Sequence, residues 1–338
     1  MAQRITLRDV ANHAGVSVTT VSNVVRDWPY VASDTRLKVQ QSILELGYSP
    51  HPIAQGLRTG RTQVIGFLVP DLSNPHFAAM VSVAEDVAQE HGFSLLVFNS
   101  HEDEAREAEC IRRVVSRWVD GLLISHVVGA HHTTDLLNNL TIPVVAIDRV
   151  PEDFEGACCS LDNFRAAQLA TQHLCDLGHT RIAHLSGPTG GPKPALDRIE
   201  GYLHTLRQNG LEYQRIASFD NGVWGCDEGY HAMREILSDE SYPTAVFASN
   251  DRMAIGASLA IYERGLRVPD DISLVGVDDI EVSRYMNPPL TTVTQPLEQL
   301  ARVGIELLLK LIGGETPDET RTSLMPSLLV RQSTAALK

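Results

Sequence analysis

Apolar residues near the start of the chain recur at the spacing of short helices. The pattern predicts three helices before residue 48, with caps at Thr6 and Ser17 and the start of the third helix near Ser33. A tight turn at Gly15 joins the first two, and Gly47 ends the third, because glycine is favoured just after a helix. The predicted apolar positions are Leu7, Val10, Ala11 and Ala14 in the first helix, Val21, Val24 and Val25 in the second, and Leu37, Val39, Ile43, Leu44 and Leu46 in the third.

Two short helices around a glycine turn, with a third closing the core, form the helix-turn-helix arrangement. Its second helix enters the major groove of DNA, where threonine and valine contact thymine methyl groups and asparagine pairs with adenine. Neighbouring hydroxyl and basic side chains face the phosphates. The predicted DNA-binding residues of this head are Thr6, Ser17, Val18, Thr19, Thr20, Ser22, Asn23 and Arg26. The alternative is an ordinary three-helix module with serines and threonines on a solvated face.

Residues 48–62 contain prolines and glycines at the density of a flexible linker. Ile53, Ala54 and Leu57 nevertheless have the spacing of one short amphipathic turn. A helix this short is unstable alone, but it would fold when paired with its twin in a dimer on DNA. A plain linker is the alternative.

From residue 63 onward, short apolar runs alternate with helical segments. Runs such as 64–69, 121–124 and 144–147 are continuously apolar, as buried parallel strands are. The alternation restarts after Asp162 and gives about ten strands, more than one sheet comfortably holds. We therefore expect two doubly wound α/β subdomains, with a ligand cleft at the carboxyl ends of their strands.

Polar side chains recur at these strand ends and in the loops beside them. Carboxylates and amides, an arginine fork and an aromatic face are the mixture that recognises a polyol. Each position alone is weak, because Asp and Asn also cap helices and form turns. The candidates are Asp71, Asn74, His76, Phe77, Asp148, Arg198, Trp224, Asn250 and Asp278.

Several strings resemble the lactose/galactose repressor family of bacterial transcriptional regulators, and they cover essentially the whole chain. In the head they are Thr6-Leu7-Arg8-Asp9-Val10-Ala11, Ala14-Gly15-Val16-Ser17, Thr20-Val21-Ser22 and Leu46-Gly47-Tyr48. In the remainder they are Val69-Pro70-Asp71, Leu177-Gly178-His179, Arg198-x-x-Gly201-Tyr202, Ala248-x-Asn250-Asp251, Val275-Gly276-x-Asp278-Asp279 and Leu329-Val330-Arg331.

The resemblance implies an all-α helix-turn-helix head and hinge helix, joined to an α/β core of two periplasmic-binding-protein-like subdomains. The head would span residues 1–48, the hinge 49–62 and the effector-binding core 63–338. Within the core, the N-subdomain would comprise residues 63–162 and 293–326, and the C-subdomain residues 163–292 and 327–338.

The resemblance also assigns roles to residues. In the hinge, Ala54 and Leu57 match the pair that packs together and wedges a leucine into the minor groove, although Gly56 weakens this helix by about 1 kcal/mol relative to alanine. In the cleft, the effector would form hydrogen bonds with four residues, stack on Trp224 and meet a wall of the N-subdomain. The four are Asp148, Arg198, Asn250 and Asp278, and the wall comprises Asn74, His76 and Phe77.

The net charge of −14 argues against a nucleic-acid partner until its distribution is considered. Residues 1–62 carry seven basic and four acidic side chains, so this segment is +3 and the remainder is −17. The small basic end is the candidate for contacting a polyanion, and the acidic core is not.

Other classes of protein fit less well. Walker, G-x-S-x-G and post-strand G-x-G-x-x-G motifs are missing, so an enzyme and a cofactor are not expected. His126, His131 and His132 lack metal-ligand spacing, and the five cysteines show no C-x-x-C pair, which fits a reducing cytoplasm. Without a signal peptide or an apolar run of membrane length, neither a periplasmic solute-binding protein nor a membrane protein is expected.

These observations predict a cytoplasmic, ligand-responsive repressor that binds a pseudopalindromic operator as a homodimer. One head makes few contacts, and two-fold pairing doubles them. The resemblance implies that residues 70–90 and 282–287 are the dimer faces. The expected effector is a sugar or sugar acid, whose binding rotates the subdomains and shifts the DNA-competent population. The alternative effectors are a purine or nucleoside, or a partner protein.

Overall fold

The structure is a computed structural model of the 338-residue chain. It describes residues 5–26, 28–48, 61–116, 119–126, 131–151, 153–187, 193–212, 215–218, 223–239 and 241–337. The chain forms two compact units, Met1–Gln63 and Val64–Lys338. The predicted hinge residues Ala54 and Leu57 lie outside the described residues.

The described part of the first unit contains the helices α1 (Leu7–Ala14), α2 (Val18–Val25) and α3 (Ser33–Leu46). Their ends confirm the predicted caps: Thr6 forms a capping box, and the Ser17 side chain accepts a hydrogen bond from the Thr20 N–H at 3.0 Å. Gly15 and Gly47 adopt left-handed φ values of 65° and 63°, which glycine reaches without a steric penalty.

A small apolar core joins the three helices. The buried side chains at its centre are Val10, Ala11, Ala14, Val21, Val24 and Val39. Two apolar residues of α3 lie outside this core, because Leu37 is 65% exposed and Leu44 is 82% exposed. They lie seven residues apart, two helical turns, on a face that turns away from α1 and α2.

The helices of the second unit are α4 (Pro75–Glu90), α5 (Glu104–Ser116), α6 (His131–Asn138), α7 (Asn163–Asp176), α8 (Lys193–Gln208), α9 (Cys226–Ile236), α10 (Asp251–Glu263) and α11 (Leu297–Gly313), with a 3₁₀ helix at Glu281–Tyr285. Its strands are β1 (Val64–Val69), β2 (Ser94–Asn99), β3 (Gly121–Ile124), β4 (Val144–Ile147), β5 (Ala157–Leu161), β6 (Ile182–Ser186), β7 (Arg215–Ser218), β8 (Ala245–Ala248), β9 (Ser273–Asp278), β10 (Thr291–Thr294), β11 (Arg321–Leu324) and β12 (Ser327–Leu329).

These strands form two six-stranded sheets, as the alternating pattern predicted. The first has the order β11-β5-β4-β3-β1-β2 and the second β12-β10-β9-β8-β6-β7. Neighbouring strands are parallel except for the antiparallel pair of β10 with β12. The N-subdomain denotes the first sheet with α4–α6 and α11, and the C-subdomain the second sheet with α7–α10.

Helices cover both faces of each sheet, which explains why the central strands are apolar on both sides. In the N-subdomain, Phe67 and Ile147 face the core beneath α4 and α11, whereas Leu68 and Leu122 face the core beneath α5. The C-subdomain has the same two-sided arrangement. The second unit therefore consists of two α/β subdomains, each with helices on both faces of a sheet that is parallel except at β12.

The helix α8 carries one of the candidate site residues in its interior. It begins at Lys193, and Arg198 lies in its second turn. Pro194 occupies the second helical position, where proline is tolerated because the first N–H groups have no partner within the helix. Among the described residues, no helix combines the length and the apolar character needed to cross a membrane.

Candidate functional site

A small cavity lies between the two subdomains, at the carboxyl ends of their strands. Eight of the nine predicted effector-binding residues line it; the exception is Asp71. The lining residues are Asn74, His76, Phe77, Asp148, Arg149, Pro194, Arg198, Trp224, Asn250, Asp278 and Gln295. The position agrees with the rule that open α/β sheets bind ligands beyond the carboxyl ends of their strands.

The lining side chains nearly fill this space. The cavity volume is about 20 Å³, close to what one water molecule occupies. A larger pocket of about 610 Å³ adjoins it and shares Asp278 and Gln295 as walls. Admission of a ligand larger than water therefore requires the subdomains to separate or the side chains to turn aside.

His76 lies at the centre of the cavity, between carboxylates of the two subdomains. Its Nε2 is 3.5 Å from Asp148 Oδ1, and its Nδ1 is 3.9 Å from Asp278 Oδ1. Burial lowers the pKa of His76, but the Asp278 and Asp148 carboxylates outweigh burial and raise the pKa overall. Burial raises the pKa of Asp278, whereas His76 is among the groups that hold the pKa of Asp148 down against burial.

The backbone at the two aspartates is unusual. Asp148 has φ 65° and Asp278 has φ 115°, values that side-chain-bearing residues rarely adopt. Both residues follow apolar strand residues directly, so the chain bends sharply there and turns each carboxyl group toward the cleft. Left-handed backbone held by its surroundings is typical of functional sites.

Two arginines frame the aromatic wall. Arg198 donates from Nε to Asn163 Oδ1 at 2.9 Å and from Nη1 to the Ser249 carbonyl oxygen. Arg149 Nη1 contacts both carboxylate oxygens of Glu102, at 3.0 and 2.9 Å. The guanidinium carbons of Arg149 and Arg198 lie 5.3 and 5.6 Å from the Trp224 ring centre, within cation–π range.

Trp224 is held in place by its neighbours. Asn250 Nδ2 donates to the Trp224 carbonyl oxygen at 3.0 Å, and Asn250 Oδ1 caps α10 by accepting from the Met253 N–H. A Cβ atom at Gly187 would lie 2.6 Å from the indole Cε2, so only glycine leaves room for the ring there. Within the described structure, the buried Trp224 Nε1 donates to no acceptor, which leaves it available to a ligand.

Three lining residues were not among the predicted effector contacts. Arg149 directly follows Asp148 at the end of β4, and that adjacency was a usable signal. Gln295 follows β10, a strand the periodicity did not reveal, and its Nε2 donates to Asp278 Oδ1 at 2.6 Å. Pro194 belongs to the first turn of α8, and a proline-containing segment of this kind is more typical of a loop.

Asp71 lies at the rim of the cleft instead of lining the cavity. Its Oδ1 accepts hydrogen bonds from the Ser73 N–H at 2.8 Å and the Ser73 hydroxyl at 2.6 Å. Its Oδ2 lies 3.1 Å from Nη1 of Arg252, a residue of the C-subdomain. The structure thus gives Asp71 protein partners on both carboxylate oxygens.

In the head, the predicted DNA-binding residues lie on and around α2. Val18, Thr19 and Arg26 are exposed, and Thr20, Ser22 and Asn23 are half-buried. Thr6 and Ser17 cap α1 and α2, so their side-chain oxygens already accept backbone N–H groups. The exposed start of α2 presents the positive end of the helix dipole, which favours a phosphate nearby.

Comparisons with known proteins identify the chain. Residues 6–51 match the model for bacterial regulatory proteins of the lacI family, and residues 171–334 match the periplasmic binding protein-like domain. The ribose operon repressor of Escherichia coli K12 is 36% identical over 97% of this chain and 99% of its own length. The chain belongs to the lacI family of transcriptional regulators.

Other members of the lacI family support the assignment. The HTH-type transcriptional repressor PurR of Pasteurella multocida is 35% identical over 97% of this chain and 98% of its own length. The crystal structure of the Lac repressor dimer bound to operator and the anti-inducer ONPF matches with a TM-score of 0.87 and 31% identity, covering 99% of this chain and all of that one. A lacI-family regulator from Enterococcus faecium with bound ribose matches with a TM-score of 0.72 and 31% identity, over 81% of this chain and all of that one.

These relatives confirm the predicted family and fold class. They are transcriptional repressors, not enzymes, which agrees with the missing catalytic motifs.

Proposed function

We propose that this lacI-family regulator senses a neutral monosaccharide in the cavity between its subdomains and represses transcription from a pseudopalindromic operator as a homodimer. The observation that carries the proposal is the convergence of two carboxylates, three amides, two guanidiniums and an indole face on one enclosed space. Such a set offers hydrogen bonds to paired hydroxyls and an apolar surface to the flat side of a sugar ring.

The charge balance of the site favours a neutral ligand over a sugar acid. Glu102, Asp148 and Asp278 supply three carboxyl groups, and Arg149, Arg198 and His76 supply two guanidiniums and an imidazole whose pKa is raised. With these charges already balanced, an added carboxylate would leave one net negative charge in a dry site, which is costly.

The named ligands of related structures point to the same class. One relative carries ribose, another is complexed with D-xylulofuranose, and a third is a cellobiose complex. Together with the ribose operon repressor, they make ribose the first probe for this chain. The small cavity fits a monosaccharide more readily than a disaccharide, because less opening is needed.

A purine is the second candidate. PurR relatives match at 35% identity, and Phe77 and Trp224 provide aromatic surfaces on which a base could stack. Both aromatic side chains already face the Arg149 guanidinium, which a purine would have to displace.

Exposed apolar side chains support the homodimer. Val282 and Tyr285 of the 3₁₀ helix are 46% and 73% exposed, and Leu259 and Tyr262 of α10 are 51% and 77% exposed. The first two fall in the predicted dimer face at residues 282–287. Large apolar side chains that cluster on a surface typically mark a contact with another chain.

Isothermal titration calorimetry with ribose, xylose, cellobiose, gluconate and hypoxanthine tests the effector class. We expect saturable binding of ribose or xylose and none of gluconate. Saturable binding of hypoxanthine alone would establish the purine alternative and contradict the sugar proposal. Selection of binding sites from random duplex DNA tests the other half, with a two-fold symmetric consensus as the expected result.

A further inference from the structure

We infer that Arg252 is a positioning residue for the effector site, which it serves by pairing with Asp71 across the cleft. The pair ties the loop that presents Asn74, His76 and Phe77 to the C-subdomain and favours the closed arrangement of the subdomains. The inference rests on the proposed function, in which the cavity binds the effector.

The ion pair joins the two subdomains directly. Asp71 follows β1 in the N-subdomain, and Arg252 is the second residue of α10 in the C-subdomain. The Nη1–Oδ2 distance is 3.1 Å, and the two side chains are only 21% and 18% exposed. Partial burial reduces solvent screening, so this pair contributes more than a surface pair of the same length.

The same carboxylate also shapes the loop. While Oδ2 faces Arg252, Oδ1 holds the backbone and hydroxyl of Ser73. The next residue, Asn74, caps α4 by accepting from the His76 N–H at 3.1 Å. Loop conformation and subdomain closure therefore depend on one side chain, three residues before the cavity wall begins at Asn74.

Arg252 is equally well placed on its own side. Asn250 lines the cavity and holds Trp224, and Asp251 is anchored in the core by hydrogen bonds from Thr292 Oγ1 and the Ile280 N–H. Three consecutive residues thus face the ligand space, the core and the opposite subdomain. The anchoring of Asp251 fixes the start of α10, from which Arg252 extends.

A second ion pair across the cleft, His76 with Asp278, is longer at 3.9 Å and belongs to the cavity lining itself. Among the described residues, the remaining arginine–carboxylate pairs each lie within one subdomain or within one element. Neither Asp71 nor Arg252 lines the cavity, so their effect on a ligand must come through the closed conformation and not through contact.

The test combines Asp71→Asn, Arg252→Met and the double variant with ribose as the probe. Asparagine keeps an acceptor for the Ser73 N–H and removes only the charge; methionine keeps much of the arginine stem. We expect each single variant to weaken ribose binding by roughly tenfold and the double variant by no more than either single one, because the pair acts as a unit. Glu90→Gln is the matched control, since its 3.1 Å pair with Arg302 lies within the N-subdomain.

Hydrogen–deuterium exchange on the ligand-free variants reads out closure without any effector. Faster exchange of residues 74–79 in Asp71→Asn, but not in Glu90→Gln, supports the pairing role. This result stands even if ribose does not bind; in that case only the proposed effector is wrong. Unchanged exchange with unchanged ribose affinity would overturn the inference. Equal effects in Asp71→Asn and Glu90→Gln would also overturn it, because they would indicate a general loss of stability.

Discussion

At the scale of single residues, ionisable groups near the cleft have pKa values that are set by their surroundings. Asp251 is fully buried beside the cavity and accepts hydrogen bonds from the Ile280 N–H and the hydroxyls of Ser283 and Thr292. Burial raises the pKa of Asp251 from 3.8 to about 7. The three hydrogen-bond donors reduce the free-energy cost of ionising this carboxyl group but do not abolish that cost.

The raised pKa makes the stability of the core depend on pH. A carboxyl group whose pKa is raised by folding lowers the free energy of unfolding as the pH rises from its unfolded pKa to its folded pKa. For Asp251 this window runs from 3.8 to about 7. Asp251→Asn has no such pH-dependent cost. We therefore expect the free energy of unfolding of the variant, taken relative to that of wild type, to rise by roughly 4 kcal/mol between pH 4 and pH 8. Urea unfolding of both proteins at pH 4 and pH 8 measures these free energies. A difference between variant and wild type that does not change with pH would contradict the prediction.

Gly187 determines where the Trp224 ring can lie. In Gly187→Ala, the added methyl group would approach the indole Cε2 to 2.6 Å, so the ring must shift away from its place in the cavity wall. We expect ribose affinity to fall roughly tenfold, the loss of about 1.4 kcal/mol of contact, with operator binding unchanged. Gly313→Ala is the control, because its Cβ would be 3.7 Å from its nearest neighbour. Equal ribose affinity in the two variants would remove Trp224 from the proposed site.

At the scale of elements, local sequence signals predicted the helices that begin and end with strong capping residues. The helices of the head match because Thr6, Ser17, Gly15 and Gly47 punctuate them. The helix α11 was not predicted, since its run Ile305–Ile312 is almost continuously apolar and a short run of that kind does not distinguish a buried helix from a strand. The short strands β7, β11 and β12 at or near the sheet edges are defined by pairing with distant partners, which no local pattern encodes.

The cap of α2 offers a test of the head. Because Ser17 Oγ accepts the Thr20 N–H at 3.0 Å, Ser17→Ala should cost about 1 kcal/mol of head stability and lower operator affinity. Ser17→Asp restores a capping oxygen and should recover the stability, while its negative charge near the phosphates keeps operator binding weak. Thermal unfolding and fluorescence anisotropy separate the two effects; recovery of both by aspartate would argue against a phosphate near this cap.

At the scale of the whole molecule, the candidate site was more predictable than its detailed geometry. Aspartates and asparagines at successive strand ends pointed to the cleft, because parallel strands bring their carboxyl ends to one edge. Their separation into cavity and rim was not predictable: Asp71 and Asp148 both follow buried strands, yet only Asp148 turns into the cavity. That difference depends on Arg252, a residue 181 positions away from Asp71 in sequence.

The charge asymmetry of the chain also belongs to this scale. The excess of +3 in residues 1–62 lies in the DNA-binding head and hinge segment, and the −17 of the remainder lies in the sensing core. The acidic core repels the phosphate backbone, so contact with DNA is directed to the head. The net charge of −14 alone suggested the opposite partner.

The central claim is that a sugar in the cavity and DNA at the head are linked. The most direct test measures operator affinity by fluorescence anisotropy with and without saturating ribose, in wild type and in Trp224→Ala. Ribose should change the operator affinity of the wild type by about 5- to 150-fold, the usual range of allosteric coupling, and should leave that of Trp224→Ala unchanged. An operator affinity of the wild type that is the same with ribose bound as without it would show that the cavity and the head are not coupled.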